Sequence, residues 1–231
     1  MEAIVLAGGF GTRLRSVVPD LPKPMAPVAG RPFLEILLTS LSRKGFHRVV
    51  LSLGYMAEKI VRHFGSSYAG MELLYAIEPT PMGTGGAIRQ ASQHCTGSHY
   101  YVFNGDSYLD LEVAKVEAWW QHNRAPIIVA RVVPDTARYG RLETNGDQVA
   151  AFIGQGITGP GFINGGCYVF NIDQLSDWPS GQAFSVEVDY FPHHVKNGRL
   201  DVFLTQGQFI DIGVPADYAR AQTELVGVCK L

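Results

Sequence analysis

The chain has 231 residues, of which 46% are hydrophobic and 17% are charged, and its formal net charge is −2. This size suits one α/β domain, and the balanced charge argues against a nucleic-acid or anionic-membrane surface. No apolar run is long enough to span a membrane and no signal-peptide pattern precedes the first strand, so we expect a cytoplasmic protein. Cys95, Cys167 and Cys229 lack metal-binding spacing, which predicts neither a disulfide nor a zinc site.

Short apolar segments alternate with amphipathic segments through the first half of the sequence. The predicted elements are strand 3–6, helix 33–44, strand 48–53, helix 56–64, strand 73–77, helix 85–94 and strand 100–103. Such alternation is typical of a parallel sheet with helices on its faces. We therefore predict an α/β fold with a Rossmann-like, mostly parallel sheet wrapped by helices.

The pattern is looser in the second half. The predicted elements are helix 112–123, strands 126–133, 139–143, 148–153 and 165–170, helix 186–196, strands 200–204 and 208–210, and a last helix from Pro215. Asn145-Gly146 predicts a hairpin between the second and third of these strands. Because no linker or repeat interrupts the sequence, we expect a single domain over residues 1–231.

The glycine-rich stretch after the first strand carries the clearest chemical signal. Residues 6–14 read Leu-Ala-Gly-Gly-Phe-Gly-Thr-Arg-Leu. Glycine lets the backbone turn sharply and bring its N–H groups close to an anion, and Arg13 adds a planar fork that suits phosphate oxygens. Further on, Pro22 and Pro24 restrict the segment that holds Lys23. The pattern predicts a phosphate-binding loop faced by a lysine.

Two common phosphate-binding motifs do not account for this loop. A P-loop requires Gly-x-x-x-x-Gly-Lys-Ser/Thr, which is absent. A dinucleotide-binding loop requires a third glycine at fixed spacing and an acidic residue after the second strand, which here ends at Leu53-Gly54. Taken alone, the loop could also be an ordinary turn of an α/β protein.

Together, residues 6–14 and Pro22-Lys23-Pro24-Met25 resemble the signature of the sugar-1-phosphate nucleotidylyltransferases. These enzymes join a nucleoside triphosphate to a sugar 1-phosphate and release pyrophosphate. The resemblance extends from Ile4 to about Tyr218. It implies a fold of the nucleotide-diphospho-sugar transferase type, with a nucleotide-binding half at about 1–110 and a small sugar-side lobe at about 111–231.

The resemblance also implies the residues of the nucleotide site. These are Leu6, Ala7, Gly8, Gly9, Gly11, Thr12, Arg13, Lys23, Glu78, Gly83, Thr84 and Asp106. Asp106 and Asp211 each follow a predicted strand and match the metal-binding aspartates of the family. One such aspartate is often only a helix cap, but two in a triphosphate enzyme indicate Mg²⁺. The implied catalytic set is Arg13 at the pyrophosphate, Lys23 near the α-phosphate, and both aspartates.

Other matching blocks imply the sugar site, formed by Tyr139, Gly140, Asn164, Gly165 and Glu187. Amide and carboxylate groups bind sugar hydroxyls well, although a structural role is an equally good interpretation of each residue singly. One block departs from the family, which usually has Glu-Lys where this chain has Gly154-Gln155. Arg138 or Arg141 could supply the missing charge. A weaker enzyme, or a non-catalytic regulator that binds nucleotide sugars, also stays open.

Within the family, residues 22–28 and 83–88 look most like the D-glycero-α-D-manno-heptose-1-phosphate guanylyltransferases. Those enzymes make GDP-heptose for bacterial surface polysaccharide such as capsule or lipopolysaccharide. A mannose-1-phosphate guanylyltransferase or a uridylyltransferase is the alternative. The sequence does not fix the sugar, and it leaves the oligomeric state, including a homo-oligomer, open.

Glu78 supplies a physical argument for GTP as the nucleotide. A carboxylate only accepts hydrogen bonds, and guanine presents two adjacent donors, N1–H and the N2 amino group. Uracil and thymine present one N–H between two carbonyl oxygens, which suits an amide better. The alternative is that Glu78 simply ends its strand on the protein surface.

Overall fold

The computed structural model describes residues 1–9, 11, 14 and 18–228. Thr12, Arg13 and Cys229 lie outside the described residues, so the roles expected of Thr12 and Arg13 stay predictions. Every helix in the described part of the chain is too short or too polar to cross a lipid bilayer.

A sheet of ten strands, counted over the described residues, occupies the centre of the fold. From one edge to the other its strands are β10 (Arg141–Asn145), β11 (Gln148–Ile153), β13 (Asp201–Thr205), β9 (Ile127–Val133), β12 (Gly161–Asn171), β7 (His99–Asn104), β1 (Glu2–Leu6), β4 (Arg48–Leu53), β6 (Met71–Ile77) and β5 (Ser67–Tyr68). Two short pairs lie outside this sheet: β2 (Pro27–Val28) with β3 (Arg31–Pro32), and β8 (Ser107–Leu109) with β14 (Phe209–Asp211).

The four neighbouring strands β6, β4, β1 and β7 run parallel to one another. Ile4 of β1 lies opposite Val50 and Val102 and is fully buried, as expected for a sheet that is covered on both faces. β12 runs antiparallel between β7 and β9, and β13 pairs in parallel with β9. The predicted α/β fold is therefore confirmed, although the sheet is mixed, because β5, β11 and β12 run against the other seven strands of the described sheet.

Helices cover both faces of this sheet. In the described residues they are α1 (Phe33–Arg43), α2 (Ala57–Phe64), α3 (Gly83–Ser92), α4 (Val113–Asn123), α5 (Phe191–Asn197) and α6 (Pro215–Glu224). Leu37, Ile60 and Val116 place α1, α2 and α4 in the hydrophobic core of one face. Ile88 and Phe191 place α3 and α5 in the core of the other face. α6 packs in a third, smaller cluster with residues of α1 and β14.

The predicted hairpin is present, because β10 and β11 pair with Asn145 opposite Gln148. The helix predicted over 186–196 begins differently from the expectation. Its first turn, Val186–Tyr190, is π-helical, and α5 continues from it. The hydroxyl of Ser185 caps this turn by accepting hydrogen bonds from two of its backbone N–H groups. π-Helical turns are frequent at functional sites.

Glu2 of the first strand has a buried side chain that bonds to residues outside the strand. Its carboxylate accepts hydrogen bonds from the backbone N–H groups of Thr96 and Gly97 at 2.8 and 2.9 Å, and from Arg48 at 2.9 Å. Burial alone would raise the pKa of Glu2. These contacts outweigh burial and hold the pKa below its ordinary value of 4.5.

We predict that Glu2→Gln lowers the free energy of unfolding by about 1.5–3 kcal/mol at pH 7, since it removes hydrogen bonds to a charged group. A lowered native pKa stabilises the fold above the unfolded pKa, and this stabilisation is lost as the pH falls through the native pKa. Urea unfolding of both proteins should therefore show a difference that shrinks below pH 4.5.

Glu72→Gln is the matched control, because Glu72 pairs with the same Arg48 but its side chain is 50% exposed. Loss of this ion pair should change the free energy of unfolding little, because exposed ion pairs usually contribute little. An equal effect of the two substitutions at pH 7 would contradict the assigned role of Glu2.

Candidate functional site

A cavity of about 570 Å³ lies at the carboxyl ends of the parallel strands. This is the edge at which open α/β sheets bind ligands. Its wall includes every described residue that the sequence assigns to the nucleotide: Leu6, Ala7, Gly8, Gly9, Gly11, Lys23, Glu78, Gly83, Thr84 and Asp106. The structure therefore brings these residues together around one space.

Glycine is required at two points of the loop that follows β1. A Cβ on Gly8 would lie 2.9 Å from Glu78 Oε1 and 3.0 Å from the backbone nitrogen of Gly54. Gly11 has a φ of +58°, and a Cβ there would lie 2.7 Å from the Cβ of Lys23. The absence of side chains thus lets the loop pass directly against Glu78 and Lys23.

Glu78 follows β6 and lies on the cavity wall. Its Oε2 accepts a hydrogen bond from the backbone N–H of Met82 at 2.9 Å, and the Ser52 hydroxyl lies 3.4 Å from Oε1. Burial raises the pKa of Glu78, and these two hydrogen bonds act in the opposite direction. The carboxylate is fixed in orientation, and each oxygen keeps acceptor capacity for a ligand.

Lys23, Asp106 and Asp211 form an acid–lysine cluster at the rim of this cavity. Lys23 Nζ lies 2.5 Å from Asp106 Oδ2. A Cβ on Gly213 would lie 2.6 Å from Asp211 Oδ1 and 3.1 Å from Lys23 Nζ, which places these two groups side by side. Burial raises the pKa of Asp211, and the charge of Asp106 raises it further, against the lowering effect of Lys23. The ammonium therefore offsets repulsion between two carboxylates.

The pairing of β8 with β14 brings the two aspartates together. Asp211 lies opposite Ser107 in this pair, next to Asp106, and the backbone N–H of Ile212 donates to the Asp106 carbonyl at 2.9 Å. Among the described residues, no group of three or more His, Cys, Asp and Glu side chains could hold a metal ion. Mg²⁺ commonly takes one or two carboxylates and completes its shell with phosphate oxygens and water, so this donor set fits Mg²⁺.

Glu187 connects the cavity to the sugar-side residues. Its carboxylate accepts hydrogen bonds from the hydroxyls of Thr84 at 2.5 Å, Ser185 at 2.9 Å and Tyr168 at 3.0 Å. The Tyr168 hydroxyl in turn accepts from Asn164 Nδ2 at 2.8 Å. Two predicted sugar-site residues, Asn164 and Glu187, are thus joined through one buried tyrosine.

The segment 182–186 packs directly on the first turn of α3. The backbone N–H of Gly85 donates to the Phe184 carbonyl at 2.9 Å. A Cβ on Gly83 would lie 2.4 Å from that same carbonyl oxygen, and a Cβ on Gly85 would lie 2.1 Å from the Phe184 ring. Glycine at these positions therefore allows backbone contact between the two halves of the chain.

Of the residues predicted for the sugar site, Glu187 lines the cavity, whereas Tyr139, Gly140, Asn164 and Gly165 do not. The Tyr139 ring packs edge-on against Phe209, with 6.2 Å between the ring centroids. Gly140 has a φ of +80°, and a Cβ on Gly165 would lie 3.1 Å from the Val129 carbonyl oxygen. These features explain both glycines by backbone geometry. The sugar contacts expected of all five residues, Asn164 and Glu187 included, stay predictions.

The two candidate substitutes for the missing family lysine differ sharply in position. Arg141 donates to the Thr136 hydroxyl and to the carbonyl oxygens of residues 158–160, which binds it to its own loop. Arg138 Nη2 lies 3.8 Å from Asp211 Oδ2. Gln155 is exposed. Only Arg138, of these three, contacts the acid–lysine cluster.

Tyr168 was not among the residues that the sequence singled out. It stands in the apolar run of β12, where its hydroxyl gives no pattern that differs from core packing. The Ser185 cap, by contrast, could have been found, because serine before a helical segment is a common N-cap signal.

We predict that Tyr168→Phe lowers the free energy of unfolding by about 1–3 kcal/mol, because it leaves buried atoms of Asn164 and Glu187 without their partner. Tyr100→Phe is the control. The Tyr100 hydroxyl is equally buried and makes no hydrogen bond of normal geometry with described residues, although Ser92 lies near it. Urea unfolding should show Tyr100→Phe as neutral or stabilising; equal losses in both variants would argue against the network.

Known proteins resemble this chain over nearly its whole length. The model of the family described as "Nucleotidyl transferase" matches residues 2–226. D-glycero-alpha-D-manno-heptose 1-phosphate guanylyltransferase of Aneurinibacillus thermoaerophilus is 38% identical, with 97% of this chain and 98% of that protein covered. The protein of the same name from Campylobacter jejuni is 36% identical, with 94% and 97% covered.

A solved structure shares the fold over nearly the same length. The crystal structure of HddC from Yersinia pseudotuberculosis complexed with GMP-PN has a TM-score of 0.86 and 36% identity, with 96% of this chain and 97% of that chain covered. The family predicted from the glycine-rich loop and the Lys23 segment is thereby confirmed. Since the family model spans almost all of the sequence and the fold matches throughout, the chain belongs to the nucleotidyl transferase family of enzymes.

Proposed function

We propose that this chain transfers GMP from GTP to D-glycero-α-D-manno-heptose 1-phosphate and yields GDP-heptose and pyrophosphate. The observation that carries the proposal is the acid–lysine cluster at the rim of a cavity lined by the glycine-rich loop. A triphosphate and a sugar phosphate can meet there next to both a cation and two potential metal ligands. Similarity to two full-length proteins named for this activity supports the choice of substrates.

The chemistry requires positioning rather than a covalent intermediate. An oxygen of the sugar phosphate attacks the α-phosphorus of GTP, the bond from that phosphorus to the bridging oxygen breaks, and pyrophosphate leaves. Backbone N–H groups of Gly8, Gly9 and Gly11 are assigned to the triphosphate. Arg13 is assigned to the leaving pyrophosphate on the basis of the family resemblance.

Asp106 and Asp211 would hold Mg²⁺, which supplies neutralising charge at the phosphate oxygens. Lys23 now pairs with Asp106. The Lys23 ammonium also lies on the cavity wall and is assigned to the α-phosphate. There it meets negative charge that develops during transfer, which is where a fixed cation accelerates a reaction most.

Glu78 is assigned to the guanine base. Its carboxylate lies on the cavity wall with a fixed orientation. Guanine's N1–H and N2 amino group can both donate to the remaining acceptor sites of this group. The GMP-PN complex of the Yersinia pseudotuberculosis protein supports a guanine nucleotide as the ligand.

The proposal also places the reaction in the cytoplasm and assigns its product to surface polysaccharide such as capsule or lipopolysaccharide. The cytoplasmic location is inferred from the composition of the chain. The use of the product rests on the resemblance to heptose-1-phosphate guanylyltransferases.

A grid of nucleotides against sugar 1-phosphates tests the proposal, with pyrophosphate release as the readout. GTP with D-glycero-α-D-manno-heptose 1-phosphate should give the highest kcat/KM. Preference for mannose 1-phosphate would show that the assigned sugar is wrong, and preference for UTP would show that the assigned base is wrong. Absence of pyrophosphate with every pair would favour the non-catalytic regulator.

Within this grid, Glu78→Gln should lower kcat/KM for GTP roughly ten- to a hundredfold relative to UTP and dTTP, the range expected for a lost hydrogen bond to a charged group. Glu58→Gln serves as the control, because Glu58 is an exposed carboxylate of α2 outside the cavity wall. An unchanged nucleotide ranking in Glu78→Gln would remove Glu78 from the base site.

The metal assignment gives a separate prediction. Asp106→Asn or Asp211→Asn should lower turnover at least about a hundredfold while the circular dichroism spectrum stays native, because each removes one of two carboxylates from the ion. Asp110→Asn is the control, since Asp110 pairs with Lys44 away from the cavity wall. Near-normal rates of both site variants at saturating Mg²⁺ would show that the assignment is wrong.

A further inference from the structure

Arg138 lies next to the acid–lysine cluster but outside the cavity wall. It belongs to the segment between β9 and β10, and 42% of its side chain is exposed. Its guanidinium carbon stacks 4.5 Å from the centre of the Tyr139 ring, and Nη2 donates to the Tyr139 hydroxyl. A cation is thus presented to solvent at the edge of the site.

Asp217 holds this guanidinium in place. Asp217 lies in the first turn of α6, and its side chain is only 9% exposed. One carboxylate oxygen accepts from Arg138 Nη2, and the other accepts from Arg220 Nη1 at 2.8 Å. Because a buried carboxylate and an aromatic ring both fix Arg138, little conformational entropy would be lost when it binds an anion.

The guanidinium still has unused donors. Its hydrogen bonds with described residues all come from Nη2, so the N–H groups of Nε and Nη1 have no partner in the described part of the chain. Nη2 also lies 3.8 Å from Asp211 Oδ2. The Arg138 guanidinium therefore has donors near Asp211 that an anion could use.

The charges of the two proposed substrates indicate which anion would bind Arg138. Among the described residues of the cavity wall, Lys23 is the cation, and Arg138 is not part of that wall. The nucleotide is assigned to the cavity, and a phosphate of the second substrate that binds beside Asp211 would lie near Arg138. A sugar 1-phosphate carries a phosphate monoester, the group that a guanidinium binds best.

On this basis we propose that Arg138 binds the phosphate of the sugar 1-phosphate and holds its attacking oxygen next to Asp211. This inference rests on the proposed function, because it names a residue for the second substrate of that reaction. Arg141 cannot take this role, since it is bound to the carbonyl oxygens of residues 158–160. Asp217 acts through Arg138 and is a positioning residue.

The test varies each substrate separately. Arg138→Gln should raise the KM for D-glycero-α-D-manno-heptose 1-phosphate roughly ten- to a hundredfold, the range for a lost hydrogen bond between charged groups, and leave the KM for GTP nearly unchanged. The KM of Arg138→Lys for the sugar phosphate should lie between those of wild type and Arg138→Gln, because lysine keeps the charge but lacks the planar fork. Both KM values come from initial rates of pyrophosphate release.

Arg220→Gln is the matched control. It removes a positive charge from the same Asp217 carboxylate, but its described ion pairs are with Asp217 and Glu224 and not with Asp211. If Arg138→Gln does not fold, Arg138→Gln with Asp217→Asn removes the unpaired buried carboxylate, and the same KM shift is expected. Unchanged KM for the sugar phosphate, or an equal rise in the KM for GTP, would overturn the inference.

Calorimetric titration with the same heptose 1-phosphate separates this inference from the proposed function. If wild-type protein releases no pyrophosphate yet binds the sugar phosphate, and Arg138→Gln weakens that binding, the function fails and the Arg138 site stands. If turnover is normal and Arg138→Gln binds as wild type does, the Arg138 site fails and the function stands. Absence of both turnover and binding in wild type would overturn both.

Discussion

Repulsion between two carboxylates is the constraint on which the rest of the site depends. Asp106 and Asp211 are brought together by the pairing of β8 with β14, and the Lys23 ammonium offsets their charges. Lys23 can reach them because Gly11 lets the glycine-rich loop pass against its side chain. Two carboxylates held close together favour the binding of a polyvalent cation, and of anions that bind as complexes with such a cation.

Features encoded by neighbouring residues could be read from the sequence. The parallel strands appear as short apolar runs such as 3–6, and the glycine-rich loop and the Lys23 segment each carry their chemistry within a few positions. These local patterns predicted the sheet, the family and the described nucleotide-site residues that now line one cavity. The sequence predicts the helix over 186–196 but not its π-helical first turn, since a single turn is too short to show a distinct periodicity of apolar residues.

Features that join distant residues could not be read in the same way. The Tyr168 hydroxyl matters because it contacts Asn164 and Glu187, and only the packing of β12 against the helical turn Val186–Tyr190 reveals these contacts. Arg138 and Arg141 look equivalent in the sequence. They differ because Asp217, far along the chain, turns one towards Asp211, whereas the other is held by its own loop. Long-range ion pairs of this kind leave no local signal.

The pairing of β7 with β12 also bears on how the chain is made. β12 leaves the ribosome only after α4, β9 and the β10–β11 hairpin have been synthesised. Until then, the backbone groups of β7 that will face β12, next to the buried Tyr101 and Val102, form an open strand edge. Open apolar edges pair readily with other chains. A nascent chain that pauses near residue 110 would therefore need a chaperone to cover this edge and prevent aggregation.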